Sequence, residues 1–237
     1  MEREHIYRLD DDYPANIHLD IPAGTLHILT HDQPTITVRI TADDEAAEKL
    51  AFATRVTHHG STVTVIVPRP DASQTVAAGK YLIGNIANNV MIVNGQVITN
   101  GVITPGVNVT VYVPSTGSAR IKTMSTDIHQ DGTLATVEAV TMSGDVVLDH
   151  VHSAYINTQS GDVRIRHVDE CRVQTMSGDV AIQRLRTHAK VSTMSGDVRA
   201  HGNPDAVVSA RTMSGDITIT GTTNTETRTM SGRVHTS

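Results

Sequence analysis

Two residue types recur along the second half of this 237-residue chain at a spacing that could do chemistry. The first is aspartate. Asp127, Asp145, Asp162, Asp179, Asp197 and Asp216 follow one another at intervals of 17–19 residues. If the chain coils once per interval, these carboxylates stack about 4.8 Å apart and repel one another. A hard cation such as calcium would relieve that, with serine hydroxyls and backbone carbonyls near by as further oxygen donors. The five from Asp145 to Asp216 are the candidate metal ligands. Turn formation competes for the same residues, because Asp bonds readily to a neighbouring backbone. Arg164, Arg166, Arg184 and Arg199 could also neutralise the row. Retaining glycosidases use two carboxylates about 5 Å apart. Any stacked column supplies that distance, and a chain with no Trp and one Phe offers few aromatic platforms for a sugar.

The second type is methionine. Met124, Met142, Met176, Met194, Met213 and Met230 occupy one position of the repeat, with Gln159 in the third copy, and make up six of the eight methionines. Thioether side chains are flexible and polarizable, and they suit adaptable contact surfaces. The polar Gln159 and the alternation around the column orient it outward, as an apolar stripe rimmed by Lys122, Arg211 and Arg228. The competing use is packing, along the stack or beneath the N-terminal region.

Histidine gives one further constellation. His150 and His152 are two apart, and His167 falls one repeat after His150, so three imidazoles could meet a metal or simply sit on the surface. The single Cys171 excludes an intrachain disulfide and reads as a buried thiol. There is no phosphate-binding Gly-rich loop with Lys and no G-x-S-x-G elbow.

The elements that must position these residues follow from the repeat itself. Seven copies of one phrase begin at Thr123, Thr141, Thr158, Thr175, Thr193, Thr212 and Thr229, most of them TMSGDV or TMSGDI. Two positions before the Thr, and five and seven after it, the columns are mostly aliphatic, as in Ile156, Val163 and Ile165. Polar positions lie between them, and alternation at period 2 marks strands with one buried face. One repeat cannot bury that face alone, whereas stacked repeats share a narrow core. The expected fold is all-β, a parallel β-solenoid with coils of 17–19 residues. Two strands per coil are expected, joined by Ser-Gly-Asp on one side and a Gly- or His-containing turn on the other.

Residues 1–106 predict a less regular β part, with strands over 15–20, 26–30, 35–40 and 62–67. One helix is predicted over Asp43–Thr54, and an inserted hairpin over Ala77–Thr104 with turns at Asn94-Gly95 and Asn100-Gly101. Residues 107–237 form the regular solenoid.

A net charge of −6 argues against nucleic acid. No apolar run is long enough to span a membrane. The charged N-terminus MEREHIYRLDDDYP lacks an apolar signal core, so a cytoplasmic location is expected. The final copy ends at Ser237, so an uncovered strand edge is expected there, open to pairing with another chain.

The TMSGDV phrases at this spacing, with the N-terminal stretch IHLDIPAGTLHILTHDQPTITVRI, resemble a bacterial β-strand-repeat family of unknown function whose members are often labelled adhesins. The resemblance implies a solenoid with a less regular N-terminal part, and no catalytic residues. The expected function is a non-enzymatic binding or assembly scaffold that self-associates or holds a protein partner, without a cofactor. A cation-stabilised surface module and a polysaccharide hydrolase or lyase are the alternatives.

Overall fold

The computed structural model describes residues 1–9, 14–69 and 106–237 throughout, and between 70 and 105 only the backbone of four short strands. The chain is all-β apart from one short helix. It opens with β1 (Glu2–Arg8), β2 (Asn16–His31) and β3 (Thr35–Thr41). Helix α1 (Glu45–Ala53) starts where the Asp44 carboxylate accepts a hydrogen bond from the Ala47 amide at 2.7 Å, as an N-cap should. It buries Leu50, while Phe52 is exposed with the Arg3 guanidinium 5.7 Å from its ring. Strands β4 (Arg55–His59) and β5 (Thr62–Ile66) form an antiparallel pair.

The expected hairpin is present as a four-stranded antiparallel sheet of β6 (Val76–Ala77), β7 (Val90–Val93), β8 (Gln96–Thr99) and β9 (Val102–Ile103). Val93 pairs with Gln96 and Thr99 with Val102. The intervening Asn94-Gly95 and Asn100-Gly101 lie outside the described residues.

The solenoid begins earlier in the chain than the repeats do. The first half of β2 lies parallel to β5, and its second half lies parallel to β10 (Val107–Pro114). Two segments some forty residues apart in sequence thus make one coil beneath β2. On the other side of β2, residues 118–131 of β11 (Ser118–Thr141) stack in parallel register. Strand β3 pairs antiparallel with β10, and β1 with β3, so antiparallel strands cover that end of the stack.

The repeats continue as β12 (Val146–Ser160), β13 (Val163–Ser177) and β14 (Val180–Ser192), one strand per coil. The last coils are split, as β15 (Val198–Gly202) with β16 (Val207–Ser214), β17 (Ile217–Thr220) with β18 (Asn224–Ser231), and finally β19 (Val234–Thr236). All of these pair in parallel, and Ile128, Val146, Val163, Val180, Val198, Ile217 and Val234 fall opposite one another in turn. Two separate strands per coil had been expected. In β11 to β14 the strand instead runs on through the second corner, with register slips such as that between Val168 and Glu170. A bulge bends a strand without ending it.

The inward columns form one hydrophobic core that extends from Leu9 to Ile219. Each large aliphatic side chain so buried contributes about 1.5–3 kcal/mol of gross hydrophobic free energy.

Candidate binding surface

The Thr at the head of each phrase points inward. Thr123, Thr141, Thr158, Thr175, Thr193 and Thr212 are all buried. A hydroxyl bond between neighbouring coils forms at the first step, Thr123 to Thr141 at 2.9 Å, whereas the hydroxyls of Thr158, Thr175 and Thr193 have no protein partner.

One residue on, the side chain must face out. Met124, Met142, Met176, Met194 and Met213 are 42–50 % exposed, and Met230 is 76 % exposed. Met230 lies on the last coil described, whereas each of the others is half covered by its neighbours. The six form a ladder of thioethers, interrupted at the exposed Gln159. Val140 and Tyr155 are exposed on the same strand face.

Ser-Gly-Asp then turns the chain, and every part of the turn is bonded to another coil. The amides of Ser143, Ser160, Ser195 and Ser214 donate to Met carbonyls of an earlier coil at 2.8–2.9 Å. The glycines stack so closely that a Cβ on Gly161 would run into the carbonyl of Gly144, and one on Gly178 into that of Gly161. At Gly144, Gly161 and Gly178 close backbone approach alone demands glycine, whereas Gly196, Gly215 and Gly232 combine it with a positive φ of 144–154°.

The Asp column closes the turn. The Oδ1 atoms of Asp127, Asp145, Asp162, Asp179 and Asp197 each accept from the backbone amide of the Asp one coil later, at 2.8–3.0 Å. Asp216 does the same for Arg233. These are charge-assisted bonds to fixed donors. Arg164 then bridges the Oδ2 atoms of Asp145 and Asp162 at 3.5 and 2.7 Å, and Arg199 bridges those of Asp179 and Asp197 at 4.0 and 2.8 Å. Amides and guanidiniums thus supply the neutralisation for which the sequence suggested a cation. Arg166 and Arg184 are engaged elsewhere, with Asp149 and His167.

The three histidines do gather at the second corner. The His150 ring centroid lies 5.5 Å from that of His167 and 5.9 Å from that of His152. His152 bonds to Asp169 at 2.9 Å, and Asp169 holds Arg186 through two 2.6 Å bonds. Burial, then the neighbouring Arg184 and His150, hold the His167 pKa below its ordinary value of 6.5, against an opposing pull from Asp149. Burial raises the Asp169 carboxyl, but Arg186 and His152 outweigh it and leave it below 3.8. Among the described residues, no three His, Cys, Asp or Glu side chains converge as a metal site would require.

Cys171 is buried, and that burial, with Glu170 beside it, pushes its thiol up to about 12. It is therefore no ready nucleophile at neutral pH. It lies at the floor of a shallow furrow of about 210 Å³, flanked by Ser153, Tyr155, Glu170, Arg172 and Lys190. Among the described residues no helix is long and apolar enough to cross a membrane.

One surface property escaped the sequence reading. The two outward columns that precede the Met ladder carry six cations, Arg120, Lys122, Arg172, Lys190, Arg211 and Arg228, against two carboxylates, Glu138 and Glu226. Arg120 pairs with Glu138 and Arg211 with Glu226, while among the described residues the other four cations make no ion pair. A basic flank thus lies beside the ladder in a chain of net charge −6. Counting charges by column rather than along the chain would have found it.

No curated protein matches the sequence. Solved structures share the fold, two of which illustrate it. One, named a putative adhesin from Bacteroides fragilis, has a TM-score of 0.62 at 11% identity, covering 100% of this chain and 97% of its own. Another, named a putative adhesin from Parabacteroides distasonis, has a TM-score of 0.53 at 13% identity, with coverage of 100% and 97%. At those identities the likeness speaks to the fold, and neither name is that of an enzyme. The family model described as Toastrack DUF4097 matches residues 15–237, so the chain belongs to the Toastrack family.

Proposed function

We propose that this protein is a non-enzymatic solenoid scaffold that associates with itself through the face bearing the Met ladder. The observation that carries the reading is the ladder. Six copies of the repeat keep an apolar side chain where the fold needs none for its core, and leave it about half exposed or more. The outward column just before the Thr, by contrast, varies between Lys, Val, Asn, Gln, Ser and Arg. Contiguous exposed apolar surface marks interaction sites, and Met suits contacts that must adapt. Catalysis calls for one unique constellation, whereas this surface repeats itself.

The size of the face sets the strength. Six steps of about 4.8 Å give a length near 29 Å, and six strand residues at about 3.3 Å give a width near 20 Å. That is about 600 Å² per partner, below the ~800 Å² of a standard interface, so association is reversible and sits in the micromolar range. Light scattering across a concentration series tests the reading. Wild type is expected to gain mass with concentration, and a variant with Met142, Met176, Met194 and Met213 changed to Ser to remain a monomer. A variant that associates as wild type does would place the contact elsewhere.

A further inference from the structure

The face is charged in a pattern that complements itself, coil by coil. Consider, in each coil, the outward residue just before the Thr and the residue at the Asp position, which lie on opposite sides of the Met. In the four coils with Asp145, Asp162, Asp179 and Asp197, the carboxylates are bridged by Arg164 and Arg199. The residues across the Met from them are Val140, Asn157, Gln174 and Ser192, all uncharged. In the two coils with Asp127 and Asp216, the carboxylate has a backbone amide but no arginine among the described residues. The residues across the Met from these two are Lys122 and Arg211. Among these six coils, cations in the column just before the Thr therefore stand only in the two whose carboxylates lack a bridging arginine, Lys122 without an ion pair among the described residues and Arg211 already 2.8 Å from Glu226.

We propose that two copies associate about a two-fold axis parallel to the solenoid axis, with the Met ladders face to face. This deepens the self-association reading and rests on it. The geometry decides the arrangement. Rotation about an axis along the ladder keeps the two stacks parallel and in the same coil register, and it lays the basic flank of one copy over the Asp ridge of the other. Lys122 then faces the partner's Asp127, and Arg211, shared with its own Glu226, faces the partner's Asp216. Rotation about an axis across the ladder would instead set basic flank on basic flank, which like-charge repulsion disfavours. An isologous contact of this kind closes at the dimer.

One coil is discordant, and it provides the test. The seventh carries Arg228 before its Thr and Arg233 at the Asp position. In the parallel dimer these like charges meet. Reversing charge at two exposed, unpaired cations is therefore expected to act in opposite directions. Lys122→Glu meets Asp127 and weakens the dimer about fivefold, whereas Arg228→Glu meets Arg233 and tightens it about fivefold, with two symmetric contacts each within the range of exposed ion pairs. Both changes are on the surface, so folding should survive, which circular dichroism checks.

Cross-linking gives a second readout. On a Cys171→Ser background, Met124→Cys and Met213→Cys should each oxidise to a self-linked dimer, because parallel ladders set equal numbers opposite each other. Sedimentation equilibrium for the first pair and non-reducing electrophoresis for the second suffice. A dimer that both reversals weaken, or that self-links only near the middle of the ladder, as at Met176→Cys, would overturn the parallel arrangement and leave self-association standing. A wild-type monomer up to millimolar concentration would overturn both.

Discussion

At the scale of single residues, the direction of each side chain is fixed by the strand that carries it. Period 2 is set by the strand, so once the Thr column faces in, Met must face out, and the exposure of Met124 to Met230 follows. The Asp column was legible as stacked carboxylates but not as acceptors. That each Oδ1 would meet the amide of the next Asp depends on the Ser-Gly-Asp turn geometry, which no pattern of residue types encodes. The histidine corner was visible as three imidazoles in adjacent positions. Its balance with Arg184, Asp149 and Asp169 was not, because those partners come from neighbouring coils. A pH dependence follows. The folded state lowers the His167 pKa, so it favours the neutral ring, and that contribution is fully present above 6.5 and lost as pH falls through the lower folded value. The His167→Gln variant should therefore lose less melting temperature than wild type between pH 7 and pH 5. Equal losses in the two proteins would show that His167 carries none of the acid sensitivity.

At the scale of elements, strands with one buried face were easy to read and edge strands were not. β1 carries Ile6 as its one aliphatic residue and is exposed or half-exposed along its whole length, so it has no apolar face to announce it. β4 is missed for the same reason. The sequence predicts a Gly- or His-containing turn at the second corner, yet the ladder bends through His150 and His167 without a break. The Ser-Gly-Asp corner is the rigid one. Its glycines allow each coil to approach the one before it, and the contact is backbone on backbone with no side chain able to yield. Gly161→Ala should therefore destabilise the protein by about 3 kcal/mol, at the upper end of the cost of overpacking. A urea titration measures this. A change below about 0.5 kcal/mol would mean that the coils separate more easily than their stacking implies.

At the scale of the whole molecule, the repeat does two things at once. It builds one core shared along the stack, and it prints the same outward residue on six of the seven copies, so that a modest side-chain preference becomes a face about 29 Å long. The fold class was legible because periodicity is a property of the sequence alone. The join to the N-terminal residues was not, since the coil formed by β5 and β10 draws on segments far apart in the chain. The basic flank also belongs to this scale, as it exists only when coils are stacked. Self-association through the ladder is the central claim, and methionine methyl resonances read it most directly. In protein labelled with 13C at the methionine methyls, spectra would be followed from about 10 µM to about 1 mM, a range that brackets a micromolar interface. Concentration-dependent shifts in Met142, Met176, Met194 and Met213, with Met1 unmoved, are the predicted result. Ladder methyls that stay fixed across that range, or shifts confined to methionines off the ladder, would contradict it.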